Sequence, residues 1–171
     1  SRRLERDEAL AELATRYFTS HGPATIADFT WWSGLTVREA REAIDLAAGR
    51  LAHDTIAGQT YYLGATSPAP RSGRRRADLL PPFDEYTVAY KDRSAVLDPA
   101  FAGEAIAGGM FRPMIVVGGQ VAGTWKRTVQ KGEVTVALSP FRDFSEAERD
   151  AIPAAATRYG RFLGLRVTVE R

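Results

Sequence analysis

The chain has no cysteine. That excludes a disulfide scaffold and any thiolate metal site, and it is compatible with a cytoplasmic protein. Histidine is nearly absent too. His21 and His53 stand far apart without ligand-like spacing, so neither a metal nor a cofactor is expected. Only three of the 23 basic residues are lysine (Lys91, Lys126 and Lys131); the rest are arginine. Two readings of that bias stand: phosphate recognition by planar guanidinium groups, or codon usage. No apolar run approaches the ~20 residues that span a bilayer, so no membrane partner is expected, and no leader is expected before the first helix. The charge, with 21 acidic residues, is only +2. What is present is a 171-residue chain, 44% hydrophobic, enough for one full core or two small ones.

Residues 7–20 have the spacing of an amphipathic helix with Leu10, Leu13, Ala14, Tyr17 and Phe18 inward. Residues 23–49 then have the layout of a helix–turn–helix. Thr25 caps a short helix with Ile26, Phe29 and Trp32 on its apolar positions, and Ser33-Gly34 ends it. Thr36 and Glu39 fit a capping box, followed by Val37, Ala40, Ile44 and Ala47 as one buried stripe. Two extended pieces, 50–56 and 60–63, flank Ala57-Gly58-Gln59. Three helices and a hairpin make the order of a winged helix, expected over residues 1–64.

Residues 65–82 change character, with four prolines and the cluster Arg71-Ser72-Gly73-Arg74-Arg75-Arg76. They read as a basic linker, and the arginines read either as a phosphate contact or as a solvated segment. From 83 to 171 an α+β unit is expected: an antiparallel sheet carrying a C-terminal helix. Tyr86, Val88 and Tyr90 alternate as in a strand. A short helix is expected over 100–107, ending at Gly108-Gly109. Strands at 114–117 and 121–129 flank a Gly118-Gly119-Gln120 turn. Val121, Trp125 and Val129 are expected on one face and Thr124, Lys126 and Thr128 on the other. Val134, Val136 and Leu138 alternate in the next strand. Ser145 and Glu148 form a second capping box, and Pro153 is expected to kink that helix or delay its start. A last strand holds Leu165, Val167 and Val169.

Three runs carry a family resemblance: 25–35 (TIADFTWWSGL), 79–94 (LLPPFDEYTVAYKDRS) and 116–127 (VVGGQVAGTWKR). Together they resemble the bacterial winged-helix DNA-binding family that includes the glycosylases for interstrand crosslinks and alkylated bases. The resemblance covers about residues 8–165. It implies tandem winged-helix units around a basic cleft, with double-stranded DNA as partner and DNA repair as context. Glycosylases of the family carry a glutamine–apolar–glutamine or glutamine–apolar–aspartate motif in their N-terminal part. Here only Gln59, Gln120 and Gln130 occur, in no such arrangement. The chain therefore reads as a C-terminal portion whose further partner is the missing N-terminal catalytic unit, or as a shortened relative.

No catalytic residue is expected in this chain on its own. No nucleophile–base pair, metal cluster or phosphate-cradling loop is evident. The pair Asp84-Glu85 reads as an acid–base pair or, more simply, as acceptors that fix a loop. The candidate DNA contacts are Arg38, Arg41, Arg74, Arg75, Arg76, Lys91, Arg93, Lys126, Arg127 and Lys131. Arg38 and Arg41 share their helix face with Glu42 and Asp45, a neutral sum that disfavours groove entry. Lys126, Arg127 and Lys131 crowd one hairpin end. The tryptophans Trp31, Trp32 and Trp125 read as core or interface, or as base-stacking surfaces. The reading is a DNA-binding module that grips phosphates. Its rival is a protein-interaction or ligand-sensing module that uses the helix–turn–helix as scaffold.

Overall fold

The computed structural model describes residues 3–66 and 76–170. Within it the chain forms two compact units, residues 3–66 with 85–92 and residues 76–84 with 93–170, in a mixed α+β architecture.

The first unit opens with α1 (Arg6–His21), which buries Leu10, Ala11, Ala14, Tyr17 and Phe18. Helices α2 (Ile26–Ser33) and α3 (Val37–Leu46) both start at capping boxes, Thr25 with Asp28 and Thr36 with Glu39. The box satisfies two orphan amides at each start. Gly34 ends α2 at φ 72°, a left-handed position that glycine takes without steric cost. The stripe of α3 is narrower than its periodicity suggests. Ala40, Ala43 and Ala47 are fully buried, Ile44 is only partly so, and Val37 is 52% exposed. Small residues on that face let α1 approach, and the bulk is supplied by Tyr17, Phe18 and Phe29. Strands β1 (Leu51–Ile56) and β2 (Gln59–Gly64) then pair antiparallel.

Residues 85–92 correct two expectations. They do not form a strand, and they pack with the first unit instead of with residues 93–171. In the second unit β3 (Ala77–Leu80) leads toward them. Then α4 (Glu85–Val88) is a single turn, with Thr87 and Ala89 buried rather than Tyr86, Val88 and Tyr90. The physical reason is that side chains take the place of a strand partner. Trp31 Nε1 donates to Val88 O (2.9 Å), and the Tyr17 hydroxyl donates to Ala89 O (3.0 Å). Asp28 Oδ1 accepts from the backbone N–H groups of Lys91 (2.8 Å) and Asp92 (3.3 Å). Backbone groups satisfied in this way need no neighbouring strand.

In the second unit a 3₁₀ turn (Pro99–Phe101) and α5 (Ala102–Ala105) precede a two-residue hairpin, β4 (Ile106–Ala107) with β5 (Met110–Phe111). The main sheet has the order β3-β6-β7-β8-β9, with β6 (Met114–Val117), β7 (Gln120–Gln130), β8 (Glu133–Pro140) and β9 (Arg166–Glu170). Gly118 and Gly119, at φ 59° and 83°, make the tight β6–β7 turn. The sheet is antiparallel except for β9, which runs parallel to β8. That correction follows from the crossover helix α6 (Glu146–Leu163) between them, which returns the chain to the same end of the sheet. The helix starts at its Ser145–Glu148 box without delay and continues through Pro153. Gly160 lets it close on β9, since a Cβ there would lie 3.0 Å from Leu165 O and Val167 Cβ.

A register shift between Ile115 and Val116 changes the alternation of β7. Val121 pairs with Val116, Gly123 with Ile115, and Ala122 joins the core. Val121 therefore leaves the face of Trp125, contrary to strict period two, because one extra residue in a strand reverses the parity beyond it.

Candidate functional site

Two groups of predicted cations fall within the described residues, one in each unit. On α3, Arg38, Arg41, Glu42, Asp45 and Leu46 line an open groove of about 600 Å³. A second hollow of about 400 Å³ joins Arg41 and Asp45 to Gly58, Gln59 and Thr60 at the β1–β2 turn. Neither Arg38 nor Arg41 donates a hydrogen bond within the described residues. Glu39 is occupied by its cap: Oε2 accepts from Thr36 N (2.9 Å) and Oγ1 (2.6 Å), which lowers its pKa.

Sequence reasoning missed Arg6. From the start of α1 its guanidinium makes a two-pronged pair with Glu42, NH1 to Oε1 at 2.7 Å and NH2 to Oε2 at 3.0 Å. The bond lowers the pKa of Glu42 and raises that of Arg6. Arg6 thus offsets Glu42, and its NH1 also pairs with Asp7 (3.3 Å), so the α3 face taken with these two residues still sums to zero. No spacing rule could reveal this, because partners on different helices meet only after folding.

The second group lies on the β7–β8 hairpin. Lys131 and Gly132 form its turn, with Gly132 at φ 80°. Lys126 pairs in register with Ala137 and Arg127 with Val136. Consecutive strand residues face opposite ways. Lys126 therefore stands on the polar face with Thr128 and Thr135, while Arg127 points to the α6 side and donates to the Tyr159 hydroxyl. The three cations share a hairpin but not a face. Lys126 and Lys131 are exposed and have no hydrogen-bond partner among the described residues. The nearby carboxylate Glu133 accepts from the Thr168 hydroxyl.

The remaining candidates are held by contacts within the protein, Lys91 through its backbone N–H, or lie outside the described residues. Arg74 and Arg75 lie outside them. Arg76 Nε donates to Asp78 (2.9 Å). Arg93 places its guanidinium 5.0 Å from the centre of the Phe111 ring, a packing contact. Lys91 contributes its backbone N–H to Asp28. Glu85, offered as half of an acid–base pair, accepts from Trp32 Nε1 (3.2 Å) and stands 3.2 Å from His21 Nε2. Both tryptophans of α2 therefore use their indole N–H groups to hold residues 85–92. Trp125 is buried, with its own N–H on Leu80 O (2.9 Å).

Among the described residues no group of three or more His, Asp or Glu side chains could hold a metal ion. No helix there is long and apolar enough to cross a membrane.

Comparison with known proteins gives these observations a context. An interstrand DNA cross-link repair glycosylase of Streptomyces sahachiroi is 27% identical over 174 residues, which cover 94% of this chain and 44% of that protein. The solved structure of the Streptomyces sahachiroi DNA glycosylase AlkZ matches the fold with a TM-score of 0.76 at 24% identity, over 99% of this chain and 47% of that one. The chain thus spans less than half the length of these relatives. Residues 1–162 match the family described as DNA glycosylase AlkZ-like, and a match over nearly the whole length places the chain in that family.

Proposed function

We propose that this chain is a winged-helix DNA-binding module, the non-catalytic C-terminal part of a DNA-repair glycosylase-like protein, which grips duplex DNA mainly through its phosphates. Membership in the DNA glycosylase AlkZ-like family supports the repair context. Three helices followed by the β1–β2 hairpin have the order of a winged helix. The domain bounds proposed from sequence, 1–64, a basic linker 65–82 and 83–171, are modified in two places: Glu85–Asp92 belongs with the first unit, and β3 (Ala77–Leu80) with the second.

The observation that carries the reading is the state of the hairpin cations. Among the described residues, Lys126 and Lys131 have ammonium groups without a carboxylate partner, and Glu133 accepts from the Thr168 hydroxyl. Cations in that state are available to displace counterions from a phosphate row, the sequence-independent source of DNA affinity. On α3, Arg38 and Arg41 can join them because Arg6 neutralises Glu42. In the longer protein the module would position a lesion for the base-excising unit.

Fluorescence anisotropy with a labelled, undamaged duplex tests this. The expected result is weak binding, indifferent to sequence, that weakens steeply with salt by about 0.9 log unit per log unit of salt for each phosphate contact. Undetectable binding at low salt by folded protein would instead favour an interaction or ligand-sensing module.

A further inference from the structure

The second unit holds a cavity of about 470 Å³ that the phosphate-gripping role does not use. Its base is Trp125 and Tyr159, its wall Pro81 and Pro82, and its rim Arg127 and Phe162. Trp125 is fixed by its bond to Leu80 O, and Tyr159 meets it edge-on at 5.1 Å and 74°. Phe162 lies one helical turn beyond Tyr159 and is 84% exposed, the most exposed large apolar side chain among the described residues. The volume falls in the range of small-molecule sites.

The lining chemistry narrows the occupant. Apolar and aromatic surfaces suit a planar ring. Among the described residues no carboxylate lines the cavity, and the charged group there is the Arg127 guanidinium, whose hydrogen-bond partner is the neutral Tyr159 hydroxyl. A ring attached to an anion fits both features. A proline-rich peptide would use the aromatic base but leave the arginine without a counterpart.

We propose that this cavity receives an unpaired nucleotide of bound DNA, with the base on Tyr159 and Phe162 and its phosphate at Arg127. The inference rests on the DNA-binding reading above and assigns a second, non-catalytic contact to it. Base–aromatic stacking tolerates any sequence, so the site senses an extruded base rather than its identity.

The test uses the intact chain and two duplexes that differ by one unpaired adenine. Binding to the bulged duplex is expected to be tighter by roughly 5- to 30-fold, from stacking of one base. A 2-aminopurine at the bulge should lose fluorescence on binding. Phe162→Ala alters an exposed side chain, so the fold should persist. It should remove most of the preference and leave affinity for the fully paired duplex unchanged. Equal binding of both duplexes, a preference that survives Phe162→Ala, or displacement of the bulged duplex by a proline-rich peptide would overturn the site and leave the phosphate grip standing. Binding of neither duplex would overturn both.

Discussion

The two units manage their carboxylates differently, and the difference decides which cations are available. In the first unit Asp28 is buried at 5% exposure and bonds backbone amides. It caps α2 through Thr25 and clamps the N–H groups of Lys91 and Asp92. In the second unit Glu148, buried at 7% exposure, caps α6 and also binds Arg142 through both oxygens, at 2.7 and 2.8 Å. At the surface the contrast is reversed. Glu42 on α3 is paired with a cation from another helix, whereas Glu133 beside the hairpin accepts from a hydroxyl, and the hairpin lysines have no partner among the described residues. Counting charges along a sequence element is therefore a poor guide to its field. The partner of each carboxylate must be known.

The largest expected effect is Asp28→Ala. It strips the α2 cap and strands the amides of Lys91 and Asp92, for a loss of about 3 kcal/mol in unfolding by urea. Thr36→Ala, which removes a cap and nothing else, should lose about 1 kcal/mol. Equal losses would mean that the clamp on residues 85–92 contributes nothing.

Glu148→Gln should follow at about 2 kcal/mol, because it replaces a charge-assisted bidentate pair by a neutral amide. The wild-type carboxyl is held down to about 2, first by the Arg142 hydrogen bond and further by the Ser145 cap. Its folded value lies below the unfolded one of about 4.3. The stability it provides is thus complete above that value and lost as pH falls toward 2. Acid titration of unfolding should show this slope in wild type, and the variant should lack that part of it.

Arg6→Ala should be smaller still. It restores the charge of Glu42 to the α3 face, so duplex affinity at low salt should fall about 2- to 3-fold with helix content unchanged, measured by anisotropy and circular dichroism. No change would place α3 away from DNA.

Much of this could be read from the sequence, and the failures have physical causes. The Thr36–Glu39 and Ser145–Glu148 capping boxes, the Thr25 cap and the Gly118-Gly119 turn are local, set by residues within four positions of one another, and the structure contains them as expected; that Asp28 completes a third box at Thr25 is seen only in the structure. The alternation of Tyr86, Val88 and Tyr90 misled because backbone partners came from Trp31, Tyr17 and Asp28, over fifty residues earlier. The parity error at Val121 came from a bulge, which pairing with β6 reveals and sequence alone does not. At the candidate site, Lys126 and Lys131 could be read as a hairpin pair, but Arg127 belongs to the opposite face with Tyr159. Arg6 carried no signal, since its partner lies thirty-six residues away.

The most direct test of the hairpin's role is the salt dependence of duplex binding in two variants. Lys126→Ala with Lys131→Ala should flatten the plot of log affinity against log salt by about two units if both lysines touch phosphate. Arg38→Ala should flatten it by at most about one. A full-slope double lysine variant, or an Arg38→Ala slope that falls further than the double variant's, would contradict the assignment of the phosphate grip to the hairpin.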